Sequence, residues 1–256
     1  MPPPQRTSVR GPTFIRLLAR LTDVDVSPSR QSLSDRLGQW LDWTHAVVLS
    51  TALDGKPSAV GSDVPTFGSA EESECIRVRA SLADAIAGDR AFATAGQRGG
   101  EHAFAEVGGA SEAVDYSVFR QRYLAIQRKI QAATGNLRGR LRDTLAHRTA
   151  DMARLAAVDA AMERALSPRE QTLLAHVPAL LGEHFERLRK AEQEMLVDAQ
   201  ASGGISAIAP GAWLDVFRKD VQNVLLAELD VRFQPVEGLL AALRTHSMGS
   251  HVQKSA

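Results

Sequence analysis

The sequence predicts an all-α protein: an elongated antiparallel helical bundle with a long coiled-coil-like helix and a small N-terminal helical unit. Three observations predict it. Alanine, leucine, arginine and glutamate recur throughout while aromatics make up only 5% of the 256 residues, and these residue types lose little side-chain entropy in a helix. Helix-start signals stand at Ser32/Asp35 and at Ser167-Pro168-Arg169-Glu170. From Phe119 to Leu137 apolar residues recur at alternating spacings of four and three.

Lysine plus arginine and aspartate plus glutamate each total 30, so the net charge of zero gives no global argument for nucleic acid or membrane. The neutrality is local cancellation: residues 63–115 carry 4 basic and 10 acidic side chains, residues 120–148 carry 8 basic and 1 acidic. A single cysteine, Cys75, excludes an intramolecular disulfide and a cysteine-cluster metal site. Arg16 and Arg20 interrupt the apolar run after Phe14-Ile15, so no signal-peptide core is expected. No stretch reaches the ~20 apolar residues of a membrane span, and a cytoplasmic location is expected.

Residues 1–12 are expected to be disordered and residues 13–57 to form the N-terminal helical unit. Ser32 and Asp35 have capping-box spacing, and Asp54-Gly55-Lys56-Pro57 offers a stop, which predicts one helix ending near Leu53. Leu33, Leu37, Trp40, Leu41, Thr44, Val47, Val48 and Thr51 share its apolar stripe. Trp40 falls inside the stripe and reads as core. Trp43 lies at its edge, at the core rim packing against a neighbouring helix or a second subunit, or serving as a partly exposed protein-interface anchor for another protein. The end around Val47, Val48, Leu49 and Leu53 is apolar on most sides and is expected to be wholly buried. Asp42 and His45 stand one turn apart without a nucleophile or third ligand nearby, which argues against catalysis.

Residues 58–112 collect glycine, serine and acidic side chains and read as a linker holding one short helix, Ser73 to Gly88. The segment "GQRGGEH" matches neither a phosphate-binding loop nor a dinucleotide fingerprint, because no strand precedes it.

Residues 113–245 read as a three-helix bundle. The seam Phe119, Tyr123, Ile126, Ile130, Ala133, Leu137 keeps phase across Gly135-Asn136 and runs on through Leu141, Leu145, Met152 and Leu155. This predicts one helix from about Val114 to Ala165, about 80 Å long, whose surplus seam favours pairing with a second subunit. A new helix is expected at Ser167-Pro168, forming a hairpin, with a kink at Pro178. Leu173, Leu174, Val177, Leu180, Leu181, Phe185, Leu188 and Met195 supply its apolar face. A third helix from about Pro210 carries Trp213, Phe217, Val221, Val224, Leu225 and Leu229 on its buried side and is bent or broken at Pro235. Residues 246–256 are expected to be a disordered tail.

No residue is nominated as catalytic, cofactor-binding or metal-ligating, and no cofactor is expected. A bundle metal site needs Glu-x-x-His motifs, which the sequence lacks; His184, beside Glu183 and Glu186, reads as the edge of a solvated face. The one feature suited to specific binding is a run of cations: Arg120, Arg122, Arg128, Lys129, Arg138, Arg140, Arg142 and Arg148. It reads as a solvated flank, as a dock for the chain's own acidic stretch or an acidic partner, or as a phosphate-neutralising face for nucleic acid.

The stretch "FIRLLARLTDVDVSPSRQSLSDRLGQWLDWTHAVVLSTAL", Phe14 to Leu53, resembles the N-terminal signature of a proteobacterial family, domain of unknown function 3348, most strongly at Ser29–Ser32 and Leu37–Thr44. The resemblance implies a bacterial cytoplasmic protein without known activity, with an accessory role beside an envelope-associated complex. The expectation is a non-enzymatic helical scaffold or adaptor, a homo-oligomer with a dimer favoured, docking on protein partners. The alternative is a nucleic-acid-associated protein using the basic helix 120–148.

Overall fold

The computed structural model describes residues 12–23, 31–54, 69–94, 114–201 and 211–253. The first eleven residues, Ser29, the "GQRGGEH" glycines and Ser202–Gly204 lie outside the described residues. Regular structure among the described residues is helical: α1 (Thr13–Thr22), α2 (Leu33–Trp40), α3 (Trp43–Asp54), α4 (Ser69–Ala87), α5 (Tyr116–Ala146), α6 (Ala150–Leu174), α7 (Val177–Ala201) and α8 (Ala212–Gln253). These pack as an all-α bundle in which two compact units are each assembled from three separate stretches of chain.

The first unit takes residues 1–28, 81–129 and 176–231. Its core is aromatic. Phe217 meets Phe119 and Phe185 edge-on, with ring centroids 5.2 and 5.0 Å apart, and Phe185 meets Trp213 at 4.8 Å. Tyr116 packs on Phe185 and donates its hydroxyl hydrogen bond to the Pro178 carbonyl; burial, partly opposed by Arg120, pushes its phenol up to about 12. Helix α1 buries Phe14, Ala19 and Leu21, packs on α7, and has its C-terminal Leu21 carbonyl capped by the Arg187 guanidinium. Glu228 is 0% exposed, yet Tyr123 Oη donates to it at 2.7 Å and Gln127 Nε2 at 3.1 Å, so its carboxylate is satisfied in the core.

The second unit takes residues 29–80, 130–175 and 232–256. Ile130, Leu137, Leu141 and Leu145 of α5 are buried, as are Ala161 and Ala165 of α6 and Phe233, Val236 and Leu243 of α8. Charge is handled by pairing: Arg232 meets Glu170 at 3.0 Å, and Arg79 stacks over Phe233 while pairing with Glu237.

Several helix boundaries differ from expectation, each for a local or tertiary reason. The Ser32/Asp35 capping box forms, with Asp35 N–H on Ser32 Oγ at 3.1 Å and Ser32 N–H on Asp35 Oδ2 at 3.3 Å. The helix it starts ends at Trp40, because Leu41 turns extended (φ −89, ψ 112) and Asp42 starts another. Asp42 Oδ1 accepts from His45 N–H at 2.8 Å and from Thr44 Oγ1 at 2.6 Å, so Asp42 is an N-cap, with the His45 ring Nδ1 also 2.8 Å from Oδ1. Those hydrogen bonds, the Thr44 hydroxyl first, hold the Asp42 carboxyl below its usual range.

Helix α5 continues through Gly135-Asn136 and stops at Ala146, not near residue 165. Thr149 caps α6, accepting from Met152 N–H at 3.3 Å. Leu145 and Met152 are a heptad apart, so the apolar phase survives a break that only the cap reveals. At 31 residues α5 is about 46 Å long, and Phe119, Tyr123, Ile126, Ile130, Leu137, Leu141 and Leu145 are buried within the chain itself. The surplus seam that argued for a second subunit is absent.

The two prolines exchange expected roles. Helix α6 runs through Pro168 to Leu174, and Glu170, expected to close a capping box, gives its carboxylate to Arg232 instead. The turn falls at Ala175-His176, and Pro178 sits in the first turn of α7, where its missing N–H costs nothing. Pro235 lies inside α8 without ending it, and α8 runs on to Gln253, past the expected end at Thr245. Helix α4, expected from Ser73, starts at Ser69 and buries Cys75, Leu82 and Ile86. Leu173 and Met195 face solvent, whereas Leu174, Val177, Leu181 and Phe185 are buried as expected.

Candidate functional site

Helix α3 is the departure with most functional weight. Its residues are WTHAVVLSTALD, with no lysine, arginine or glutamate, and apolar side chains on every side. Such a helix is ordinarily buried. Here only one line, His45, Leu49 and Ala52, spaced four and three apart, is half-buried, and α3 packs on α6. The expectation that this end is wholly buried fails, because one neighbouring helix covers only one side. Trp43, Val47 and Leu53 are 81%, 46% and 55% exposed, and α3 contains no buried residue.

Trp43 is therefore not core rim; it stands open at the first position of α3, fixed there by the Asp42 cap. Trp40, expected in the core, is half-buried at the end of α2, with the Arg169 guanidinium 4.8 Å over its ring. The signal available in the sequence was Asp42 itself: an acidic N-cap breaks the long tryptophan helix and turns Trp43 away from the stripe shared by Trp40.

The basic run divides. Arg138 bridges to Asp159 at 2.7 Å and Glu163 at 3.5 Å, and Arg142 pairs with the same two carboxylates, the four side chains being only 14–26% exposed. Burial alone pulls the Arg142 guanidinium down, yet Glu163 and Asp159 together hold it above its usual value. Arg140 reaches Glu74 at 2.6 Å and Arg122 pairs with Asp89, both partners lying in the acidic stretch 63–115. Arg120, Arg128 and Lys129 are exposed, Arg128 turning its Nε to the Leu124 carbonyl at 3.2 Å, and Arg148 is half-buried. The eight cations thus form no single face of free charge.

His184, expected at a solvated edge, is buried beside Phe217 with Nε2 2.9 Å from Asp220 Oδ2; Asp220 in turn meets Arg20 at 3.4 Å. The packing of α1, α7 and α8 in the first unit draws it in. Among the described residues no three His, Cys, Asp or Glu side chains are grouped to hold a metal ion, and no helix is long and apolar enough to cross a membrane.

No curated protein and no solved structure matches the chain. The family described as Protein of unknown function (DUF3348) matches residues 1–245, nearly the whole length, including the capped α2 and the exposed α3. The chain belongs to the DUF3348 family.

Proposed function

We propose that this chain is a non-enzymatic helical scaffold or adaptor of the cytoplasm, self-associating and docking in a larger assembly, with α3 as its contact face. The observation that carries this reading is Trp43, 81% exposed at the start of an apolar helix. Leaving a large apolar side chain in water forgoes roughly 1.5–3 kcal/mol of burial, and tryptophan is the residue most enriched where interface energy concentrates. The intramolecular pairing of Arg138, Arg140 and Arg142 directs attention to this apolar face rather than to the cations.

The test is a photo-reactive benzophenone side chain placed at Val47 and, as control, at exposed Gln193 of α7, with irradiation in the expressing cell. Discrete protein adducts at Val47 and none at Gln193 are expected. No adduct at Val47, or the same pattern at both positions, overturns the reading.

A further inference from the structure

We infer that the buried triad of Tyr123, Gln127 and Glu228 is a register lock: it sets which turn of α8 lies against which turn of α5. The inference is independent of the contact face at α3. Helix α5 holds Tyr123, Ile130 and Leu137 seven residues apart, and α8 holds Leu229, Val236 and Leu243 at the same spacing, all six of them buried. Rows with that repeat fit a partner nearly as well after a slide of one heptad, because a core accepts one large apolar side chain in place of another at small cost. Apolar packing by itself therefore leaves the two helices more than one register.

Glu228 breaks the repeat. It stands between Val221 and Pro235 in its own heptad row and is 0% exposed, at a position where an apolar residue is the ordinary occupant. Its carboxylate takes hydrogen bonds from one side of α5, Tyr123 Oη donating to Oε2 at 2.7 Å and Gln127 Nε2 to Oε1 at 3.1 Å. The two donors are four residues apart, hence on adjacent turns of one face, and grip the acid as a fork. After a slide of one heptad in either direction they face Val221 or Pro235, neither of which has a side-chain acceptor. In one of those directions Glu228 meets Ile130 and Thr134, and the Thr134 hydroxyl is already given to the Ile130 carbonyl at 2.9 Å. A buried donor or carboxylate that loses its partner is penalised more heavily than a repacked leucine, so the triad favours the observed register over its neighbours. A lone polar residue in the apolar seam of a coiled coil fixes alignment in the same way, at a cost in stability.

The experiment reads alignment and stability in the full chain. Spin labels at exposed Gln121 of α5 and Lys219 of α8, introduced as Gln121→Cys and Lys219→Cys with the buried Cys75→Ala, report the distance between the helices by pulsed dipolar spin resonance. With the triad intact one distance population is expected, and Glu228→Gln, which keeps a side-chain acceptor, should retain it. The apolar variant Tyr123→Phe/Gln127→Leu/Glu228→Leu should fold, unfold at a urea concentration no lower than the natural chain, and add a second population from helices displaced by one heptad, about 10 Å along the axis. Tyr123→Phe/Gln127→Leu, which takes both donors from the carboxylate, should unfold at lower urea. An apolar variant that keeps a single population overturns the lock, because other contacts then set the register. So does an apolar variant that fails to fold or unfolds more readily than the natural chain, since the triad then supplies stability and not alignment. A second population in Glu228→Gln, or an unchanged urea midpoint in Tyr123→Phe/Gln127→Leu, overturns it as well.

Discussion

Gly182 on α7 stands where a side chain has no room. A Cβ built there meets Tyr116 Cε1 at 2.9 Å, Cδ1 at 3.3 Å and Cζ at 3.4 Å. Carbon atoms rest about 3.5–4.0 Å apart, so the ring would have to retreat by more than half of one ångström, roughly. It is held on three sides: Phe185 at 5.6 Å, Phe217 at 6.2 Å, and the Pro178 carbonyl that takes its hydroxyl. Overpacking of this kind costs about 1–3 kcal/mol, against which alanine in a helix gains up to about 1 kcal/mol over glycine. Gly139 on α5 is the reference, because nothing lies within 4 Å of a Cβ there and only the gain applies. Gly182→Ala should therefore be about 1–3 kcal/mol less stable than Gly139→Ala, a difference of roughly 3–10 °C in melting temperature for a chain of this length. Thermal melts followed by far-ultraviolet circular dichroism read this directly, and a Tyr116→Ala background should abolish the difference. If Gly182→Ala stabilises as much as Gly139→Ala, the Tyr116 contact is not a constraint and the reasoning fails.

Two further outcomes follow from the caps and the ion pairs. Asp42 is held below the ordinary 3.8 in the folded chain, so its stabilising contribution is fully present above that value and is lost as pH falls through the lower folded one. Melting temperatures of the natural chain and Asp42→Asn, which caps without titrating, should converge or cross as pH is lowered from 5 to 2; a constant offset would contradict the cap. In the second unit, Asp159→Ala leaves Arg138 and Arg142 sharing Glu163 alone, and should cost about 3 kcal/mol in urea unfolding, well above the ~0–1 kcal/mol of an exposed pair. A loss below 1 kcal/mol, roughly that of a surface pair, would show that the network is solvated.

What could be read from the sequence was local or periodic. The capping box at Ser32/Asp35, the continuity of α5 through Gly135-Asn136, and the apolar periodicity that marks the packing faces of Phe119–Leu145 and Phe217–Leu229 depend on neighbours within a few residues. Such contacts are present in any structure that contains the helix, so spacing alone reveals them. The candidate surface is half legible: Trp43 lies at the edge of the apolar stripe, but the Asp42 cap that turns it outward competes with a helical pattern of equal strength.

The tertiary structure decided the rest, because each such choice turns on a partner distant in the chain. Pro168 lies within a helix and Pro178 at the start of one, and the Glu170 carboxylate that a capping box would have used pairs with Arg232, 62 residues away. Arg138 and Arg142 are internal ties rather than a binding face because Asp159 and Glu163 come alongside them. Composition and periodicity determined by themselves that this chain is helical and where most of its core lies; only packing determined that α3, as apolar as any buried helix, is covered on one side and open on the other, because burial depends on how many neighbours reach a helix and not on its own sequence.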